Sequence, residues 1–172
     1  MTTTKPAGPR SPLHDFLAPD SIAIIGASTD PTKRGYKAMV GLIKDGYAGK
    51  IYPINPKVDR VLGVKAYPSL ADIPGTADLA LICTPASSVP ALLVECGKKG
   101  VKGAVILASG FRETGRPEGI QLEQEMLAAA RQSGVRVIGP NTSGMFNLHK
   151  KLNLLALSNV KAGGIGLISQ SG

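Results

Sequence analysis

Tryptophan is absent from the 172 residues, and aromatic side chains make up only 4 %. That leaves little for a base-stacking platform of the kind single-stranded nucleic acid needs. Cysteine is scarce. Cys83 and Cys96 stand apart, with no CxxC and no Cys/His cluster. Two such residues exclude a disulfide scaffold and predict a reduced, cytoplasmic protein without structural zinc. No apolar run reaches the length of a membrane span. Residues 1–12 are rich in Thr, Pro and Gly and lack the hydrophobic stretch of a signal peptide. Histidine is rare too. His14 and His149 have no partner at a meaningful spacing and read as surface residues. Glu113, Glu118, Glu123 and Glu125 read as loop and helix-surface charges, so no catalytic or metal-binding constellation emerges.

What is present is an apolar fraction of 43 %, enough for a real core, in a length that suits one ordinary α/β domain. The net charge is +8, and its distribution matters more than its size. Lys33, Arg34, Lys37, Lys44, Lys50, Lys57, Arg60 and Lys65 face only Asp45 and Asp59 over that stretch. A local excess of this kind suits an anionic partner.

Along the chain, short apolar runs alternate with helical periodicity. Residues 21–25 form a β-branched run ending at Gly26. Tyr36, Met39, Val40 and Ile43 then fall at the spacing of an amphipathic helix. Further strands are expected at 51–54, 79–83, 104–107 and 135–138, and each is followed by a Gly, Pro, Asn or Ser stop. Val89, Leu92, Leu93 and Cys96 predict a second helix, with Ser88 as N-cap and Pro90 in the first turn. Leu122, Met126, Leu127 and Ala130 predict a third, ending near Gly134. A short extra strand or turn is expected around 64–67. Continuous apolar strands between helices imply buried parallel strands joined by right-handed crossovers. The expected fold class is α/β, a Rossmann-like, doubly wound and mostly parallel sheet with helices on both faces. The domain plan is a flexible N-terminal arm over 1–12, the α/β domain over 13–163, and over 164–172 the first strand of a following domain.

Ligands of such sheets bind at the carboxyl ends of the strands. The first of these, 26–35, has Gly26 for a tight turn, hydroxyls on Ser28 and Thr29, and cationic Lys33 and Arg34 ahead of Gly35. A helix N-terminus there offers N–H groups and positive dipole to a phosphate. The spacing is not GxGxxG, since Ser28 stands where a second glycine would fall. The second strand ends in Asn55-Pro56-Lys57 rather than the Asp or Glu that binds a ribose diol. Cations at that position favour a phosphate on the ribose. NADP, with its 2′-phosphate, and coenzyme A, with its 3′-phosphate, both fit. Thr84-Pro85, Ser109-Gly110 and Gly139-Pro140-Asn141 end the remaining strands. They supply a narrow channel, a close approach at Gly110, and a turn that aims Asn141 at the crevice.

Six ordered motifs carry a resemblance: 21–28 (SIAIIGAS), 51–57 (IYPINPK), 80–86 (ALICTPA), 109–111 (SGF), 139–141 (GPN) and 168–172 (ISQSG). Together they resemble the CoA-binding domain of ADP-forming acid–CoA ligases, itself similar to the succinyl-CoA synthetase alpha subunit. The resemblance implies CoA contacts from Gly26, Ala27 and Ser28, from Lys57, from Thr84 and Pro85, and from Ser109 and Gly110, with Asn141 toward the thiol end. It also implies a phosphohistidine domain and an ATP-grasp domain or beta-type subunit outside these residues, which would bring ATP, ADP and Mg. Many relatives have Cys after that Asn, whereas this chain has Thr142. The expectation is a CoA-binding module that is inactive alone, with neither nucleic acid nor membrane as partner. A stand-alone CoA-binding protein and an NADP-binding domain of an oxidoreductase are the alternatives.

Overall fold

The computed structural model describes residue 11 and residues 13–169. Apart from Ser11, the expected N-terminal arm lies outside the described residues, as do residues 170–172 of the last motif.

Helix α1 (His14–Leu17) precedes β1 (Ser21–Ile25), α2 (Arg34–Asp45) and β2 (Lys50–Ile54). A hairpin of β3 (Arg60–Val61) and β4 (Val64–Lys65) follows. Then come β5 (Leu79–Ile82), α3 (Val89–Lys98), β6 (Gly103–Ile106), α4 (Pro117–Ser133) and β7 (Arg136–Ile138). A second hairpin, β8 (Phe146–Asn147) with β9 (Leu152–Asn153), comes after them. The main sheet is parallel throughout, in the order β2-β1-β5-β6-β7. The order reverses direction at β1, which places the topological switch point between β1 and β5.

The central strands β1, β5 and β6 are buried on both faces, which is why they read as unbroken apolar runs. On one face, Ala23, Ile25, Ala80, Ile82, Ala104 and Ile106 pack against α3, α4 and the 70–77 segment. On the other, Ile22, Ile24, Leu79, Leu81 and Val105 pack against α2, Phe16 of α1 and the β9 strand. At the amino ends of the strands, the Asp78 carboxylate accepts hydrogen bonds from the Asp20 and Ser21 N–H groups and the Ser21 hydroxyl, locking β1 to β5.

Four local expectations change. The stripe of α2 is rotated: Gly35, Ala38, Met39, Gly41 and Leu42 are buried, while Ile43 is exposed. Small residues set the face because α2 touches backbone there. A Cβ on Gly41 would lie 2.3 Å from the Asn153 carbonyl oxygen. In α4, Leu127 is likewise exposed, and Gly119, Met126, Ala129 and Ala130 carry the contact. Ser88 does sit at the N-cap of α3, but its hydroxyl bonds to Thr84 Oγ1 and the Pro85 carbonyl rather than capping the helix. Residues 165–168 form no strand. No neighbouring strand pairs with them among the described residues, and Ile165, Leu167 and Ile168 are exposed.

The β8–β9 hairpin, which the apolar pattern does not signal, is held by one buried polar side chain. Asn153 Nδ2 donates to Asp45 Oδ2 (2.8 Å) and the Leu157 carbonyl (3.0 Å), and its Oδ1 accepts from Leu155 and Leu157 N–H. A buried amide is tolerable because both its ends are satisfied.

Candidate cofactor-binding site

A cavity of about 1070 Å³ opens at the carboxyl ends of β1, β2, β5 and β6. Its volume is in the range of small-molecule and cofactor sites. It extends past the crevice between the first two strands to the turns after β5 and β6. Of the predicted site residues, Gly26, Ala27, Ser28, Lys33, Arg34, Gly35, Asn55, Pro56, Lys57, Thr84, Pro85 and Ser109 line it. Gly110 and Asn141 do not. Asn141 is exposed in a left-handed conformation (φ 53°), its N–H bonded to the Ala108 carbonyl, so it sits beside the cavity rather than on its wall.

The loop after β1 is shaped by backbone contact. Gly26 has φ 85°, and a Cβ there would come within 3.0 Å of Thr84 Cγ2. Gly35, the second residue of α2, lies against the same loop, and a Cβ would fall 2.2 Å from the Gly26 carbonyl oxygen. The two glycines let helix and strand approach as in dinucleotide-binding folds. The Gly26 and Ala27 N–H groups bond to Ile54 and Ile24 carbonyls, so these residues offer close approach rather than donors. The donors come from α2. Its N-cap, Lys33, makes no side-chain cap, and its first turn holds no acid. The first N–H groups of the helix, on residues that line the cavity, therefore have no side-chain cap, an arrangement that favours an anion.

Ser28 Oγ accepts from the Asp30 N–H, and Asp30 Oδ1 accepts from the Thr32 hydroxyl and N–H. Those two Thr32 bonds, the hydroxyl first, hold the Asp30 carboxyl below its ordinary value, with Lys33 adding a smaller pull. Asp30 is thus spent on folding the loop.

At the β2 wall, Asn55 Nδ2 donates to the Ala27 carbonyl (2.7 Å) and its Oδ1 accepts from the Lys57 N–H (2.8 Å). Asn55 therefore buttresses the loop, and both ends of its amide are used. The Lys57 ammonium makes no hydrogen bond or ion pair among the described residues. Arg34 differs from the lysines, since its Nη1 donates to the Thr142 carbonyl (3.0 Å).

The turn after β6 is held by a carboxylate. The Gly110 N–H donates to Glu113 Oε1 at 2.6 Å, so Gly110 offers no free donor there. Glu113 is not a free surface charge, because its carboxylate also accepts from Phe111. Desolvation pushes its pKa up, but the hydrogen bonds from Gly110, its own backbone and Phe111 outweigh that and lower it.

Sequence reasoning missed another flank: the apolar Leu70 after Pro68 and Ser69, and on α3 the apolar Leu92 beside the carboxylate of Glu95. Leu92 and Glu95 are three residues apart and share a helix face. The helical spacing places Leu92 on α3 but does not say which neighbour that face meets. Cys83 also lines the wall. Burial pushes its thiol up to about 12 against a smaller opposite effect of Arg34, which fits a packing residue rather than a nucleophile.

Uncapped helix donors, cations without carboxylate partners and an apolar flank fit an anionic nucleotide that carries an extended apolar-tolerant arm. A parallel sheet presenting this arrangement at its switch point makes the protein a nucleotide-binding domain of the Rossmann-like class. Residues 20–147 match the CoA binding domain family, and the chain belongs to it.

Among curated relatives, the chain is 48 % identical over 160 residues to the acetate–CoA ligase (ADP-forming) II subunit alpha of Pyrococcus furiosus, covering 93 % of this chain and 35 % of the relative. It is 49 % identical over 155 residues to the acetate–CoA ligase (ADP-forming) of Methanocaldococcus jannaschii, covering 90 % of this chain and 21 % of the relative. Among solved structures, it resembles the dinucleotide-forming acetyl-coenzyme A synthetase 1 of Ca. Korarchaeum cryptofilum in complex with phosphate and ADP. The TM-score is 0.78 at 41 % identity, over 83 % of this chain and 30 % of that one. The chain thus spans about a third or less of the length of these relatives. Among the described residues no helix is long and apolar enough to cross a membrane.

Proposed function

We propose that this chain is the CoA-binding part of a cytoplasmic ADP-forming acid–CoA ligase, whose overall reaction joins acid, ATP and CoA to give acyl-CoA, ADP and phosphate. The observation that carries this reading is the uncapped start of α2 beside Lys57 in one cavity. The names of the P. furiosus and M. jannaschii relatives support the reaction.

In this reading the first turn of α2, with Lys33 and Arg34, holds the diphosphate, and Gly26, Ala27 and Gly35 let it come close to backbone. Lys57 meets the 3′-phosphate, where an acidic residue would repel it. Thr84, Pro85 and Ser109 wall the path of the pantetheine, and the 139–144 loop lies toward its thiol. Bound CoA supplies a thiol that accepts an acyl group. The residues described here bind and orient, and none of them performs chemistry. Residues 13–163 form the CoA-binding domain, and residues 164–172 lead into a further domain. Acid activation, ATP, Mg and the phosphohistidine belong to that domain and to an ATP-grasp domain or partner subunit.

Isothermal titration of the 172-residue chain tests the binding claim. CoA gives saturable heat, and NADP gives none. Heat with NADP and none with CoA would reverse the assignment and favour an oxidoreductase domain.

A further inference from the structure

We propose that Arg34 is a positioning residue that couples occupancy of the cavity to the placement of the 139–144 loop. The proposal rests on the CoA reading above and extends it to the loop beside the thiol path.

Arg34 opens α2 on the cavity wall, and its Nη1 reaches across 108 residues of chain to the Thr142 carbonyl at 3.0 Å. Among the described residues no carboxylate pairs with it and its guanidinium forms no other hydrogen bond. A guanidinium has five donors in a planar fork, so one nitrogen on Thr142 leaves Nε and Nη2 for an anion at the start of the helix. Lysine, a point donor on a flexible stem, cannot hold both partners in one plane.

The loop needs such a tether. Gly139 (φ 103°), Asn141 (φ 53°) and Gly144 (φ 126°) all adopt left-handed conformations. Between Gly139 and Gly144 it is tied back to the sheet by two bonds, Asn141 N–H to Ala108 (2.9 Å) and a long Thr142 N–H to Ile106 (3.4 Å). Arg34 adds a third, from the first residue of α2. The loop then runs into the β8–β9 hairpin, which packs on α2 at Gly41, so one helix contacts the segment at two places.

An anion bound by the free side of the fork would fix the Arg34 rotamer. The Thr142 bond would then form without further loss of side-chain freedom. By linkage, a loop held in place would strengthen anion binding by the same factor.

Hydrogen exchange of the 172-residue chain, with and without saturating CoA, tests the coupling. In the wild type, CoA slows exchange in a peptide covering 139–147 about fivefold or more, at the low end of ordinary coupling, and also protects 26–35. In Arg34→Ala, protection of 26–35 persists at saturation while the slowing at 139–147 is lost. Arg34→Lys, which keeps the charge and is the readout if the alanine variant does not fold, also loses it. A purely structural role for Arg34 would loosen the loop equally with and without CoA and leave the CoA-dependent change intact, which overturns the proposal. So does a wild-type loop that CoA leaves unchanged or loosens while 26–35 is protected. If CoA protects no region and gives no heat, the CoA reading itself fails, and the coupling falls with it.

Discussion

Gly35→Ala separates helix preference from site geometry, because the two act in opposite directions. In an ordinary helix interior the change favours folding by about 0.5–1 kcal/mol. Here the new Cβ lies 2.2 Å from the Gly26 carbonyl oxygen, 2.9 Å from its carbon and 3.0 Å from the Ala27 Cα. A relaxed carbon–oxygen contact needs about 3.3 Å, so helix and loop must separate by roughly 1 Å. All three neighbours are backbone, and no flexible side chain can absorb the shift. Overpacking of this kind costs about 1–3 kcal/mol, which outweighs the gain. The expected result in urea or thermal unfolding is a net loss of about 1–2 kcal/mol. The same shift moves the helix donors off the anion, so the CoA Kd in calorimetry rises about tenfold or more, given that displacements near 1 Å at positioning groups cost on the order of 10²-fold. Gly166→Ala, with nothing within 4 Å, serves as control and is neutral. A Gly35→Ala protein as stable as the wild type and with unchanged affinity would refute the close-approach argument.

Three further outcomes follow from named contacts. Lys57→Ala weakens CoA about five- to tenfold, near 1 kcal/mol for a charge-assisted contact at a solvated wall, and leaves dephospho-CoA nearly unaffected. Equal losses for both ligands in calorimetry would remove Lys57 from the 3′-phosphate. Because hydrogen bonds depress the Glu113 pKa below 4.5 in the folded state, its contribution to stability is full above that pH and fades as pH falls through the lower folded value. Thermal melts from pH 6 to pH 3 should show an acid-side loss that is smaller in Glu113→Gln, and parallel curves would deny the carboxylate its role in holding the turn after β6. Asn153→Ala leaves the Leu155 and Leu157 N–H groups without their acceptor. It should cost about 2 kcal/mol in denaturant unfolding, and a change under about 0.5 kcal/mol, the range of surface substitutions, would mean that the hairpin is not held by that amide.

The central strands β1, β5 and β6 were legible because each is buried on both faces and therefore reads as an apolar run with a Gly, Pro or Ser stop. The cavity followed from them, since the turn after each strand falls at one edge of the sheet. Faces set by small residues were not legible. Periodicity weighs large side chains, so it chose Tyr36 and Ile43 for α2, where Gly35, Ala38 and Gly41 make the contact. Roles that depend on partners distant in sequence were hidden as well. Asn55 read as a ligand residue, but its amide holds the Ala27 carbonyl. Arg34 read as a free cation, but its Nη1 holds the Thr142 carbonyl. The β8–β9 hairpin has strands of two residues each, and its anchor is a buried asparagine that no hydrophobic pattern marks.

A crystal of the chain grown with CoA addresses the central claim most directly. The account predicts the diphosphate at the first turn of α2, the 3′-phosphate within hydrogen-bond distance of Lys57 Nζ, and the pantetheine passing Thr84, Pro85 and Ser109. A ligand bound elsewhere, with Lys57 turned to solvent and the start of α2 bare, would contradict it.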